Sequence, residues 1–147
     1  MSDIEQQIQQ QVEAAIRDNS TLNIIGGNSK ALYGRPRQGQ ALNVGGHQGI
    51  TAYEPTELVI SARAGTLLEE IEHTLHENQQ MLPFEPPHLG PGATIGGTIA
   101  CNLSGPRRPY SGAARDFLLG TKIINGKAEV LRFGGEVMKN VAGYDVA

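Results

Sequence analysis

Ile24-Ile25-Gly26-Gly27-Asn28-Ser29-Lys30 is the first segment whose residue types and spacing can do chemistry. An apolar, strand-like run leads into two glycines and then polar residues. Glycine takes positive φ without a steric penalty and lets a ligand approach the backbone closely. Successive N–H groups in such a turn form an anion-binding nest. Phosphate held this way needs no net positive charge, which suits a chain with a formal charge of −3. The segment lacks the Gly-x-x-x-x-Gly-Lys-Ser/Thr spacing of a Walker loop, and it is not Gly-x-Gly-x-x-Gly. A plain tight turn between strand and loop is the alternative.

Gly92-Ala93-Thr94-Ile95-Gly96-Gly97-Thr98-Ile99-Ala100-Cys101-Asn102-Leu103-Ser104-Gly105 is the second. A helix starting near Thr94 turns free N–H groups toward an anion, and Gly96, Gly97 and Ala100 permit close packing. The surface they pack against is either a flat ligand or another backbone. A third cluster, Arg107-Arg108-Pro109-Tyr110 with Arg115-Asp116, can pair with phosphate or a carboxylate. A surface ion pair, or a structural Arg115–Asp116 link, is the commoner use of any one of them. His47, His73, His76 and His88 show no third ligand at metal spacing, so no metal is expected. Cys101, among apolar neighbours, is expected to be a small buried residue. No Gly-x-Ser-x-Gly elbow or pair of catalytic carboxylates stands out, and the catalytic residues stay unassigned.

The 147 residues make room for about one domain. Twelve Lys+Arg against 15 Asp+Glu argue against a basic nucleic-acid surface. No apolar run approaches the ~18 residues of a membrane-spanning helix, and the polar, acidic N-terminus is unlike a secretory signal. One cysteine excludes an intrachain disulfide and fits a reducing compartment. The 19 glycines are about 13% of the chain against a usual ~7%. They include the pairs 26–27, 45–46, 96–97 and 134–135; the second and last are expected to be turns without a ligand.

These segments need elements to hold them. Ile4, Ile8, Val12 and Ile16, with Ala15, predict an amphipathic helix over 3–18, with Ser2 and Glu5 as a capping box. Short strands are expected at 21–25, 41–44, 50–53 and 58–62. A second helix opens at Thr66 with Glu69 as another capping box, buries Leu67, Leu68, Ile71 and Leu75, and has Asn78 as C-cap. The proline-rich stretch 82–92 is expected to be a packed connector, and 94–102 a tight helix. Residues 117–124 and 128–133 form a hairpin around Asn125-Gly126. Val137, Met138, Val141 and Val146 begin an element with no stop signal, so the chain is expected to be a fragment.

The order of segments resembles one family. A strand-Gly-Gly-x-Ser loop is followed by a helix and Leu-Pro-Phe-Glu-Pro-Pro, then Ala-Thr-Ile-Gly-Gly, Asn-Leu-Ser-Gly-Pro-Arg-Arg-Pro-Tyr, Ala-Arg-Asp-Phe-Leu-Leu-Gly and Met-Lys-Asn-Val-Ala-Gly-Tyr-Asp-Val. This resembles the FAD-binding domain of the vanillyl-alcohol oxidase/p-cresol methylhydroxylase flavoproteins, and within it the FAD-binding subunits of bacterial glycolate-oxidising complexes. The resemblance implies an α+β fold of two α/β subdomains, approximately 1–85 and 86–147, with FAD between them and the C-terminal end cut off. It matches Gly26, Gly27, Asn28, Ser29 and Lys30 to the first pyrophosphate-binding loop. Pro86, Gly92, Thr94, Ile95, Gly96 and Gly97 match the second cofactor-lining segment. Ser104 and Gly105 fall near the flavin ring, and Gly143 and Tyr144 in the motif before the domain's last elements. Members with covalent flavin often carry histidine where Asn28 stands, so non-covalent FAD is expected.

The implied function is oxidation of a small 2-hydroxy acid such as glycolate to the 2-oxo acid, with electrons passing through FAD to partner subunits. A sister flavoprotein subunit and an iron–sulfur subunit are the implied partners. The implied location is cytoplasmic, with association to the inner face of the membrane through those subunits. The residues that turn over substrate in such enzymes lie largely beyond this segment, which alone is expected to hold FAD weakly. A subunit that binds FAD structurally, or only scaffolds the complex, is the alternative.

Overall fold

The computed structural model of the chain describes residues 3–135. Helix α1 (Asp3–Arg17) is followed by strands β1 (Leu22–Ile25), β2 (Gln40–Asn43), β3 (Ile50–Glu54) and β4 (Val59–Ala62). Then come α2 (Leu68–His76), α3 (Ile95–Ala100), α4 (Arg108–Ser111), a 3-10 turn (Ala114–Phe117), and strands β5 (Gly120–Ile124) and β6 (Val130–Gly134). The strands form three two-stranded sheets. β1–β2 is parallel, with Leu22 opposite Gln40, while β3–β4 and β5–β6 are antiparallel hairpins.

α1 lies against β2, whose Leu42 is buried. Its inner stripe is Glu5, Ile8 and Ala15, with Val12 half-buried, while Ile4 and Ile16 are 37% and 51% exposed. The expected every-fourth stripe is corrected for a geometric reason. Four residues turn a helix by about 400°, so the row Ile4-Ile8-Val12-Ile16 drifts off any one face, whereas alternating steps of three and four stay on it. Ser2 of the first capping box lies outside the described residues. Glu5 instead pairs with Lys122 of β5, and Gln9 Nε2 donates to Ala128 O at 2.8 Å, so α1 is tied to the β5–β6 hairpin.

That hairpin forms as the sequence predicts, with a longer turn. Asn125 Oδ1 accepts from the N–H groups of Lys127 and Glu129, and Ala128 takes the left-handed position at φ 61. Phe117 belongs to the 3-10 turn rather than to β5. The short helix α4 has no counterpart in the apolar periodicity.

The second helix starts differently from expectation. Its N-cap is Leu67, without a side-chain cap bond, and Thr66 Oγ1 accepts from Gly49 N–H (2.9 Å) and donates to Arg63 O (2.7 Å) instead. Leu68, Ile71 and Leu75 are buried and Leu67 is half-buried. The helix ends with C-cap Glu77, one residue before Asn78. Gln79 turns left-handed at φ 56, and the N–H groups of Gln79 and Gln80 return to His76 O and Leu75 O. Gln80 also accepts from Tyr53 Oη (2.8 Å) and donates to Pro55 O (2.8 Å), which pins the helix end to the β3–β4 hairpin.

The proline-rich connector is packed through Phe84 (4% exposed) and Pro86, whereas Leu89 points outward at 47%. Phe84 stands 6.1 Å from Phe117, ring centre to ring centre. α3 follows with Thr94 as its N-cap. Cys101 is exposed, not buried as its neighbours suggest, because α3 ends at Ala100 and the cysteine sits where the chain turns away from the core.

Candidate functional site

β1 ends at Ile25 and delivers the first glycine loop to the C-terminal edge of the parallel pair. Asn28 takes φ 56, a conformation asparagine tolerates better than most residues. Ala31 N–H closes back on Asn28 O (3.1 Å) and Tyr33 N–H on Lys30 O (2.9 Å). The five preceding N–H groups, from Gly26 to Lys30, donate to no protein acceptor among the described residues. Arg37, nine residues on, donates to Asn28 Oδ1 at 3.1 Å.

The second glycine segment is laid alongside residues 64–68 by a short ladder. Leu68 N–H donates to Ala93 O, Ile95 N–H to Thr66 O and Gly96 N–H to Ala64 O, at 2.9, 3.0 and 2.9 Å. Leu67 and Thr94 pair as an isolated bridge. The buried Thr94 hydroxyl accepts from Gly97 N–H at 3.2 Å.

The two segments then meet backbone to backbone. A Cβ on Gly27 would stand 1.4 Å from Gly92 O, and one on Gly92 would stand 2.7 Å from Gly27 O. A Cβ on Gly26 would be 3.0 Å from Thr94 Oγ1, and one on Gly97 would be 3.9 Å from Lys30 Nζ. Gly26, Gly27, Lys30, Gly92, Thr94 and Gly97 are therefore brought together, with Asn28 in the same turn. Ser29 stands near Gly90, whose Cβ would be 3.9 Å from its own.

Other sequence-predicted site residues have structural partners here. Gly96 faces Ala64, whose Cβ a side chain there would meet at 2.6 Å, and Ile95 is held through its N–H on Thr66. Gly105 is pressed on Glu85: a Cβ there would stand 2.2 Å from Glu85 O, and its N–H donates to Phe84 O. Ser104 Oγ accepts from Ala114 N–H at 2.9 Å. Pro86 lines a separate groove of about 520 Å³ with Glu72, His76 and His88. Gly143 and Tyr144 lie outside the described residues. Arg107 is 3.5 Å from Glu85, and Arg115 is 3.7 Å from Asp116, whose Oδ2 also accepts from Ala113 N–H. Two neighbours have no ligand signal in the sequence: Arg37, and Gly45, whose Cβ would be 3.3 Å from Gly26 O.

His47, in the loop behind Gly45, accepts Gly65 N–H on its backbone oxygen at 2.7 Å. Its buried Nδ1 has no hydrogen-bond partner among the described residues. Burial, then the cations Arg63 and Lys122, hold its pKa below the ordinary imidazole value against the opposing pull of Glu5. The unfolded chain thus takes up a proton at higher pH than the folded one. Stability is expected to fall as pH drops through about 6.5 toward the folded-state value. Denaturant midpoints measured between pH 7.5 and 5 should show a shallower fall for His47→Gln than for the wild-type protein. Parallel curves would contradict this.

Residues 3–134 match the family described as FAD binding domain. The chain is 59% identical over 145 residues to glycolate oxidase subunit GlcE of Escherichia coli (strain K12), covering 99% of this chain and 41% of that protein. It is 29% identical over 93 residues to D-2-hydroxyglutarate dehydrogenase of Xanthomonas citri pv. viticola, covering 63% of this chain and 20% of that one. The chain thus spans well under half the length of these curated relatives. Among solved structures, alkyldihydroxyacetonephosphate synthase superposes with a TM-score of 0.71 at 19% identity, over 95% of this chain and 25% of that one. The grass pollen allergen Phl p 4, with glucose dehydrogenase activity, gives 0.72 at 14% identity, over 87% and 27%. These two share its fold. With a match running from α1 into β6 and holding both glycine segments, the chain belongs to the FAD-binding domain family.

Proposed function

We propose that this chain is the FAD-binding part of a subunit of a complex that oxidises glycolate or a similar small 2-hydroxy acid. What carries this reading is the 59% identity to a glycolate oxidase subunit, maintained over 99% of the chain and so across both glycine segments. The site fits the cofactor's diphosphate. Five successive N–H groups lack protein acceptors among the described residues, and the loop that bears them is fixed from behind by the Gly27–Gly92 contact. Bound FAD supplies the two-electron oxidation of the hydroxy acid and passes the electrons on, chemistry the protein itself lacks.

The residues of this chain bind and orient. The N–H groups of Gly26 to Lys30 donate to diphosphate oxygens. Gly92 and Thr94 back the loop, Gly97 lies beside Lys30, and Thr94 holds the first turn of α3 in place. Ile95, Gly96, Pro86, Ser104 and Gly105 set the segments that line the rest of the cofactor, and Gly143 and Tyr144 complete it. Asn28 offers no ring nitrogen for a covalent bond, so FAD is held non-covalently. A sister flavoprotein subunit and an iron–sulfur subunit take the electrons. Among the described residues no helix is long and apolar enough to cross a membrane, in keeping with a cytoplasmic subunit that reaches the membrane through its partners.

The test is the visible spectrum of the full-length protein with its partner subunits. A flavin spectrum bleached anaerobically by glycolate, with all flavin in the supernatant after acid precipitation, is the expected result. A colourless protein that FAD does not stabilise would refute the reading. Flavin that glycolate leaves oxidised would favour a structural cofactor, and flavin in the pellet a covalent one.

A further inference from the structure

The charges around the first loop are unbalanced. The chain has 15 Asp and Glu, yet none falls between residues 19 and 53 or between 86 and 115. The two glycine segments lie inside these two acid-free stretches. Lys30, Arg35 and Arg37 stand in the first. Elsewhere Arg17, Arg107, Arg115 and Lys122 each have a carboxylate within ion-pair distance, whereas Arg63, Arg108, Lys127 and Arg132 have none among the described residues. Lys30 and Arg37 have none among the described residues. Lys30 is half-buried, with its ammonium beside Gly97 and on the loop with five unmatched N–H donors. Arg37 is held on the same loop through Asn28 Oδ1.

Every one of these groups presents positive charge, and backbone donors of one sign do not offset a lysine. Such a gathering is unfavourable without an anion, and its cost falls when one arrives. The oxygens of a diphosphate are the matching chemistry, because they accept from the N–H groups and the two cations at once.

We propose that Lys30 and Arg37 are the counter-charges of the cofactor's diphosphate and set the site's preference for FAD over a flavin without phosphate. The inference rests on the FAD reading above. It assigns these cations to affinity and selectivity, not to the fold. Lys30 closes the side facing Gly97, and Arg37 acts from the outside of the turn while holding Asn28 in its left-handed conformation. Screening by salt weakens both contacts, so FAD affinity depends on ionic strength through them.

The experiment uses the full-length protein in its complex, stripped of flavin and titrated with FAD and with riboflavin at several salt concentrations. Lys30→Gln is expected to weaken FAD binding about tenfold, the loss typical of one charge-assisted contact partly open to water. Riboflavin binding should be unchanged and the salt dependence of FAD binding shallower. Lys30→Arg should keep most of the affinity, and Arg37→Gln should give a smaller loss of the same kind. The flavin-free Lys30→Gln protein should melt no lower than wild type, because a repulsive neighbour has gone. Wild-type FAD affinity and salt dependence in Lys30→Gln would overturn the proposal. So would equal losses for FAD and riboflavin with a lowered melting temperature, which mark a structural role. Failure of the wild-type protein to bind FAD would overturn the FAD reading itself.

Discussion

Gly27→Ala is expected to abolish flavin retention and to cost more than about 3 kcal/mol of stability, beyond the usual range for one added methyl. The new Cβ would stand 1.4 Å from Gly92 O and 2.5 Å from Gly92 C. Both are backbone atoms, so no side-chain rotation relieves the overlap. The loops would have to part by about 2 Å to restore ordinary contact at ~3.5 Å. Parting them displaces the loop that carries the N–H groups of Gly26 to Lys30, while the ladder from Ala64 to Leu68 resists movement of the second segment. Gly126→Ala is the control, since nothing lies within 4 Å of its Cβ position. Flavin absorbance per protein and the thermal midpoint of the full-length protein check both. A Gly27→Ala protein that keeps its flavin and melts within about 2 °C of wild type would show that the loops do not depend on this contact.

The contact explains what could and could not be read in advance. Gly26-Gly27 and Gly92–Gly97 stand out because glycine after an apolar strand-like run has few uses, and the order of motifs adds the family. That Gly27 and Gly92 touch each other depends on tertiary packing between residues 65 positions apart, which no local pattern carries. The parallel pairing of β1 with β2 is hidden for the same reason, because a parallel partner has no turn signature. The hairpin around Asn125-Gly126 was legible because its turn chemistry is local. Arg37 carries no local motif, and its only cue in the sequence is the absence of acids around it. Cys101 and Ile16 look buried by composition and are not, since helix length and angular drift decided their exposure.

Thr66→Val is the second large effect, and it separates two uses of one threonine. Local sequence makes Thr66 a helix cap with Glu69 as its reciprocal partner. The structure makes it a buried strap with no exposed surface. Its hydroxyl accepts from Gly49 N–H and donates to Arg63 O, while its carbonyl takes Ile95 N–H at 3.0 Å. Valine matches its size but removes the hydroxyl, leaving the half-buried Gly49 N–H without its acceptor and Arg63 O without its donor at a cost of about 2 kcal/mol. Serine keeps both hydroxyl bonds and loses one methyl, about 1 kcal/mol. The expected order of stability is therefore wild type, Thr66→Ser, Thr66→Val, with the two variants in the opposite order to that given by burial of apolar surface alone. Glu69→Gln should change stability by less than about 0.5 kcal/mol, because Glu69 is exposed and caps nothing. Denaturant midpoints of the full-length variants decide the matter. A Thr66→Val protein at least as stable as Thr66→Ser would return the residue to ordinary packing. The expected loss reaches the cofactor as well, because the carbonyl that Thr66 offers to Ile95 N–H is one rung of the ladder that holds Gly92 against Gly27.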